Sequence, residues 1–129
     1  MKDFRELEVW RRAHELNQWV HALVDSYPGL GRHGLASEMR RASTDIARNI
    51  AQGCGSSGNE GAERWYFNAA LGAAAALDYL MFLGFEERLV PPGCAARFLE
   101  MKVEIQVRLR DAGREETETR APATLTLVQ

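Results

Sequence analysis

One run of the sequence limits the possible folds more than any other feature. From Trp65 to Phe85, 21 residues, the only charged side chain is Asp78 and the only other strongly polar one is Asn68. About 20 apolar residues are enough to cross a bilayer. The run is rich in alanine, however, and a carboxylate near its middle would cost roughly 2.5–3.5 kcal/mol on membrane insertion. We therefore predict no membrane span but a helix buried on all sides by protein, with Gly72 and the alanines permitting close helix approach.

Two amphipathic helices are predicted before this apolar run. The first spans roughly residues 4–26, and the second follows Gly34 and ends at Gly53. In both, apolar residues recur at steps of three and four, which is the spacing of one helix face. A glycine-rich loop then covers residues 53–61, where Ser57 and Glu60 fit a capping box for the next helix.

The segment after Pro91 and Pro92 is ambiguous. Residues 101–110 alternate between apolar and polar side chains, which is typical of a strand. A strand needs a partner, however, and the only other strand-like run is 123–128, while an isolated two-stranded ribbon is marginal in water. We predict a helix with two opposed apolar stripes. The first stripe is Ala96, Leu99, Val103 and Val107, and the second is Phe98, Met101, Ile105, Leu109 and Ala112.

These segments together predict an all-α fold. The chain has 129 residues, of which 46% are apolar, and this suits one domain with a real hydrophobic core. We predict an up-and-down antiparallel four-helix bundle over residues 1–112, followed by a polar tail over residues 113–129. The first residues do not resemble a secretory signal, so the expected location is the cytoplasm.

The sequence patterns that could carry chemistry are weak. Residues 53–58 match G-x-G-x-x-G, but dinucleotide binding needs a strand before the motif, and a helix is predicted there. His14 and His21 lie two helical turns apart, about 10 Å, which is too far for them to share one ion. The sequence around Cys54 shows no general base that would make its thiol a nucleophile. We predict a non-enzymatic protein without catalytic residues, cofactor or metal.

Arginine provides 14 of the 16 basic residues, although the net charge is −2. Guanidinium groups suit phosphate, but they also pair with carboxylates, as Arg41 and Asp45 can at i and i+4. A nucleic-acid contact and an ion-paired helix face therefore remain open alternatives. The candidate nucleic-acid-binding residues are Arg40, Arg41 and Arg48 on the second helix and Arg11 and Arg12 on the first.

Many of these positions resemble a known family, the bacterial 23S rRNA-intervening-sequence proteins. The stretch Asn49-Ile50-Ala51-Gln52-Gly53 is the most specific part, which marks Asn49 and Gly53 as family-motif residues. Gln52 replaces the usual Glu, Ser56 stands near a usual basic residue, and the tail is an addition. The other similar positions are Phe4, Arg5, Leu7, Val9, Trp10, Ala13, His14, Leu16, Tyr27-Pro28, Gly34-Leu35, residues 39–43, Ile46, Phe67, Leu71, Ala74, Leu77, Tyr79 and Leu80.

The resemblance implies an up-and-down bundle assembled as a homopentameric ring, with no established catalytic activity. It further implies RNA or DNA as a partner. A similar bundle is the accessory protein of diversity-generating retroelements, where it works with a reverse transcriptase. The resemblance therefore implies a reverse transcriptase as a second kind of partner. A purely structural oligomer is the alternative to these binding roles.

Self-association is also expected from the helices themselves. The third segment has no polar side and the fourth has two apolar faces, so a monomer would expose continuous apolar patches, which soluble monomers rarely do. The candidate interface residues are Leu99, Val103 and Val107 on one stripe of the fourth segment and Met101, Ile105 and Leu109 on the other.

Overall fold

The structure is a computed structural model that describes the backbone of residues 3–128 and the side chains of residues 3–112. This part of the chain contains helices and no strand. A 3-10 turn at Phe4–Glu6 is followed by α1 (Glu8–Ser26), the four-residue α2 (Gly29–Arg32), α3 (Leu35–Gly55), α4 (Glu60–Glu86) and α5 (Cys94–Val128). The predicted all-α class is confirmed.

The four long helices form a bundle in which each helix contacts two others, in the cyclic order α1, α3, α4, α5. Contacts between side chains show that α1 runs antiparallel to both α3 and α5. As the residue number rises along α1, the number of its partner on the neighbouring helix falls. The pairs are Asn17–Thr44 and Asp25–Arg40 between α1 and α3, and Arg12–Glu104 and Trp19–Phe98 between α1 and α5.

A single apolar core fills the space between these helices, because each contributes a stripe at three- and four-residue spacing. Each large side chain in it contributes roughly 1.5–3 kcal/mol on burial. Among the described side chains, the one buried polar residue is Ser43, which donates its hydroxyl to Asn17 Oδ1 at 2.9 Å and so links α1 to α3. The largest fully buried side chains include Leu16, Leu30, Met39, Ile46, Ile50, Leu77, Met81, Ile105 and Leu109.

The start of α4 differs from the predicted capping box. Asn59 occupies the N-cap position, and its side-chain oxygen accepts a hydrogen bond from the backbone N–H of Ala62 at 3.2 Å. Ser57 lies two residues too early for this role. Asparagine caps helices as well as serine does, because its side chain satisfies an amide that has no partner within the helix.

The ambiguous segment at 101–110 is helical, as predicted, and lies within α5. The helix continues to Val128, so the strand-like run at 123–128 is helical as well. The predicted boundary between bundle and tail at residue 112 falls within α5 and stays a prediction. The tail's predicted polar and separate character lies outside the described side chains and stays a prediction.

The prediction that the apolar run is buried on all sides is wrong for the single chain. In α4, burial follows one stripe of five residues, and the opposite side of the helix is exposed. The physical reason is the bundle geometry, since a corner helix has two neighbours and can bury only the side that faces them. The buried stripe is Ala70, Ala74, Leu77, Met81 and Gly84.

Candidate functional site

The most distinctive surface feature of the protein is a set of large apolar side chains that the bundle leaves in solvent. They lie on two adjacent helices, α4 and α5, on the sides that point away from the core. Isolated exposed apolar residues are ordinary, but several on one side of a protein mark an interaction surface. The six are Trp65, Tyr79 and Phe82 on α4 and Leu99, Val103 and Val107 on α5.

The two predicted stripes of α5 have different fates. Leu99, Val103 and Val107 form an outward ridge in which each side chain is between 43% and 52% exposed. The other three candidate interface residues lie in the core of their own chain, where they are at most 8% exposed and cannot reach a partner. These buried residues are Met101, Ile105 and Leu109.

The outward side of α4 combines large and small residues. Trp65 lies near its start and Tyr79 and Phe82 near its end, and all three are more than half exposed. Between them the surface is formed by the exposed residues Asn68, Gly72, Ala75 and Ala76. Sequence reasoning missed the three aromatic residues, because a run that is apolar at every position shows no periodicity from which an exposed side could be read.

A groove lies between α3 and α4, with a cavity of about 220 Å³. Small side chains form its floor, and charged ones form its rim on the α3 side. Its lining consists of Ala42, Ala73, Ala76 and Leu80, with Glu38, Arg41 and Asp45 at the rim.

The five arginines proposed for nucleic acid do not form one basic surface. Arg11 and Arg12 both bond Glu8, and Arg12 also bonds Glu104. Arg40 pairs with Asp25 across α1 and α3, and Arg48 pairs with Asp45 on its own helix. Only Arg41 of the five has no ion pair with a described residue. Their positive charge is therefore largely neutralised by nearby carboxylates.

Glu8 lies at the centre of the charge cluster at the start of α1. The hydrogen bond from Arg11 holds the pKa of the Glu8 carboxyl below its usual value of 4.5, with further lowering by the nearby charges of Arg12, Arg11 and Arg108 and an opposing effect of desolvation. These guanidinium groups favour the ionised form of the Glu8 carboxyl. Because Arg108 belongs to α5, its ion pair with Glu8 also joins α5 to the start of α1.

The family-motif residues Asn49 and Gly53 have structural roles on α3. Asn49 donates its side-chain amide to the backbone carbonyl of Asp45 at 2.8 Å. At Gly53, a Cβ atom would lie 2.6 Å from Cε1 of Phe67, so only glycine allows α4 to approach this closely. The motif therefore helps set the packing of α3 against α4.

The groups considered for catalysis, cofactor or metal are dispersed. Residues 53–55 of the glycine motif form the last turn of α3, and no strand precedes them. Cys54 is buried, and His14 stacks on Trp10 with ring centroids 4.9 Å apart. Among the described residues, no group of three His, Cys, Asp or Glu side chains is placed to hold a metal ion.

A second cavity, of about 500 Å³, lies at the end of the bundle where α4 turns into α5. Tyr27 and Phe85 form part of its wall, together with Arg88, Leu89, Val90, Pro91 and Pro92. Arg88 adopts φ +58°, because the chain reverses sharply after α4. This cavity was not foreseen from the sequence, where the two prolines indicated only a connection.

Comparison with known proteins gives one clear result. The family profile described as 23S rRNA-intervening sequence protein matches residues 5–111, which covers the described bundle almost completely. A search of curated proteins finds no match to the chain.

By length and composition alone, α4 is the one helix within the described residues that could cross a membrane.

Proposed function

Since the chain belongs to the 23S rRNA-intervening sequence protein family, we propose that it is a non-enzymatic helical scaffold whose copies assemble into a closed homo-oligomer. The resemblance implies five copies in each oligomer. The cytoplasmic location of the protein stays a prediction. The observation that supports self-association is the set of large apolar side chains exposed on the outward sides of α4 and α5. Among the described residues of the single chain, none shields these side chains fully from solvent.

The energetic argument concerns the cost of leaving these side chains in water. Each large apolar side chain contributes roughly 1.5–3 kcal/mol when it is fully buried, so covering even half of each of the six would contribute several kcal/mol. Association also costs translational and rotational freedom, which this burial has to offset. A second copy of the chain is a partner that is always present at the protein's own concentration.

A bilayer is the other environment that could cover α4, and charges beside the helix argue against it. Asp78 lies midway along the apolar run and bonds Lys102 of α5. On the α3 side, Arg41 and Asp45 border Ala73 and Ala76 at the groove. Embedding α4 in lipid would also bring these charges into the hydrocarbon, at a cost of several kcal/mol.

RNA, DNA and a reverse transcriptase are the partners that the resemblance adds. The arginine geometry gives a nucleic-acid role limited support, because four of the five candidates are already engaged with carboxylates. Any phosphate contact by these four would have to compete with their ion pairs. We therefore propose self-association as the primary property and treat nucleic-acid binding as a separate prediction below.

Light scattering after size-exclusion chromatography tests the proposal. We expect the wild-type chain to elute as a closed oligomer at micromolar concentration. Val103→Glu places a charge on the exposed ridge of α5, so it should yield a folded monomer or smaller species. Ala22→Glu, at an exposed position on α1, adds the same charge away from α4 and α5 and should leave the oligomer intact.

Ile105→Glu provides the contrast on the same helix. Ile105 is 1% exposed, so a carboxylate there should unfold the bundle, as judged by loss of helical circular dichroism. A wild-type chain that is a well-folded monomer at micromolar concentration would overturn the proposal. An unchanged oligomer in Val103→Glu and in the corresponding Leu99→Glu and Val107→Glu variants would instead exclude the α5 ridge from the interface, while self-association stands.

A further inference from the structure

Resting on the proposed homo-oligomer, we propose that its contact is heterologous: the α5 ridge of one copy inserts into the α3/α4 groove of the next. The ridge is Leu99, Val103 and Val107. The groove is floored by alanines of α4. The occupant of the groove is thus a second copy of this chain, and the two surfaces that meet are different.

The spacing of the two surfaces supports this fit. On α4, Ala73 and Ala76 line the groove and are followed by Leu80 at its end. Ala69 lies one helical turn before Ala73 and so falls on the same side of the helix. The ridge has the same step of three to four residues, so its side chains can lie over successive alanines. From Leu99 to Arg110 and from Ala69 to Leu80 the distance is 11 residues, about 16 Å at 1.5 Å per residue.

The charges at one end of each surface are complementary. Gly53 of α3 faces Phe67 of α4, whereas Met39 faces Gly84, so the two helices run antiparallel. Glu38, the first groove residue on α3, therefore lies at the same end of the groove as Leu80. Arg110 follows the ridge by one helical turn and is exposed. Neither Glu38 nor Arg110 has an ion pair with a described residue. When α5 of the neighbour runs parallel to α4, with Leu99 over Ala69, the guanidinium of Arg110 meets the carboxylate of Glu38.

The positions of ridge and groove on the bundle favour a closed assembly. The groove lies between α3 and α4, whereas the ridge lies on the outward side of α5, so one copy can use both at once with two neighbours. Contacts between different surfaces propagate from copy to copy and end only when a ring closes. A ridge-to-ridge contact would instead produce dimers and leave the groove unfilled.

The sharpest test uses two variants, of which one disables the ridge and the other disables the groove. Val103→Glu blocks the ridge, and Ala76→Arg fills the groove from an exposed position. Each variant alone should be a folded monomer. A mixture of the two should form a heterodimer and nothing larger, because one intact ridge and one intact groove remain. Ala22→Arg is the matched control, since Ala22 is exposed on α1 and adds the same charge away from the ridge and the groove.

Charge reversal tests the register. Glu38→Arg and Arg110→Glu should each weaken association by about tenfold, and the double variant should recover most of the loss because the pair is restored in the opposite order. Equal weakening in the double variant and the singles would contradict this pairing.

The outcomes separate this inference from the proposed function. If the wild type is oligomeric and Ala76→Arg leaves the oligomer unchanged, the heterologous contact is wrong while self-association stands. A mixture of the two variants that remains monomeric, in conditions where each is folded, also overturns it. A monomeric wild type overturns both proposals.

Discussion

Lys102 Nζ lies 2.8 Å from Oδ2 of Asp78, and this ion pair joins α5 to the only charged residue of the apolar run in α4. The two ends differ in burial, since the side chain of Lys102 is 12% exposed and that of Asp78 is 49% exposed. The ammonium group therefore depends on the carboxylate for most of its polar contact. The pair and the half-exposed position of Asp78 together explain how a charge is tolerated within the apolar run.

Removal of this carboxylate should destabilise the bundle. In Asp78→Ala, Lys102 would keep its charge in a mostly buried position without a counter-ion, so we expect the free energy of unfolding to fall by about 1–2 kcal/mol. Urea unfolding followed by circular dichroism measures this. The double variant Asp78→Ala with Lys102→Met should regain most of the loss, because no buried charge remains. A single variant as stable as wild type would show that water already solvates the ammonium.

The close approach at Gly53 should tolerate no side chain. A Cβ there would lie 2.6 and 2.8 Å from two ring carbons of Phe67, so Gly53→Ala should lower the free energy of unfolding by about 1–3 kcal/mol. Gly55→Ala is the control on the same helix, since nothing lies within 4 Å of its Cβ position. It should be neutral or stabilising by up to about 1 kcal/mol, because alanine favours helix. Thermal unfolding of both variants distinguishes the two cases, and equal stability would contradict the packing role.

The charge cluster around Glu8 predicts a pH dependence. The pKa of Glu8 is lowered in the folded chain, chiefly by the hydrogen bond from Arg11. Its contribution to stability is therefore fully present above its unfolded pKa and is lost as the pH falls through the folded pKa. We expect the wild type to lose stability relative to Glu8→Gln as the pH drops below about 4.5, with the difference constant near neutrality. Parallel stability curves for the two proteins from neutral to acidic pH would contradict this.

We predict that α3 binds nucleic acid weakly, with tolerance of sequence and a steep loss of affinity as salt rises, because phosphate contacts release counterions. Arg41→Glu with Arg48→Glu should abolish this binding, as measured by fluorescence anisotropy of labelled single-stranded RNA at low salt. Arg32→Glu with Arg64→Glu changes the net charge equally at exposed positions elsewhere and should retain binding. Binding that survives in the first double variant would overturn the assignment. So would a wild-type protein that binds no RNA at low salt.

The sequence alone was sufficient for the local structure. Apolar side chains at three- and four-residue steps specify a helix wherever polar side chains mark its other face. The helix α3 is found close to its predicted bounds, and α1 ends where it was predicted to but begins at Glu8, after a separate 3-10 turn. The same reasoning gave the helical assignment of residues 101–110 and the two apolar sides of α5. Glycine and proline positions marked the connections, since these residues restrict the backbone through their own covalent structure.

Only the tertiary structure decided which apolar side meets the core. In α5, Ile105 and Val103 are both branched aliphatic residues two positions apart, and nothing local distinguishes them, yet the first is buried and the second is exposed. In α4, every side is apolar, so exposure of Tyr79 and Phe82 follows from where α3 and α5 lie. Ion pairing of the arginines is likewise a matter of neighbours, as Arg40 with Asp25 shows. Periodicity is a property of one helix, whereas burial and charge neutralisation depend on the distances between helices.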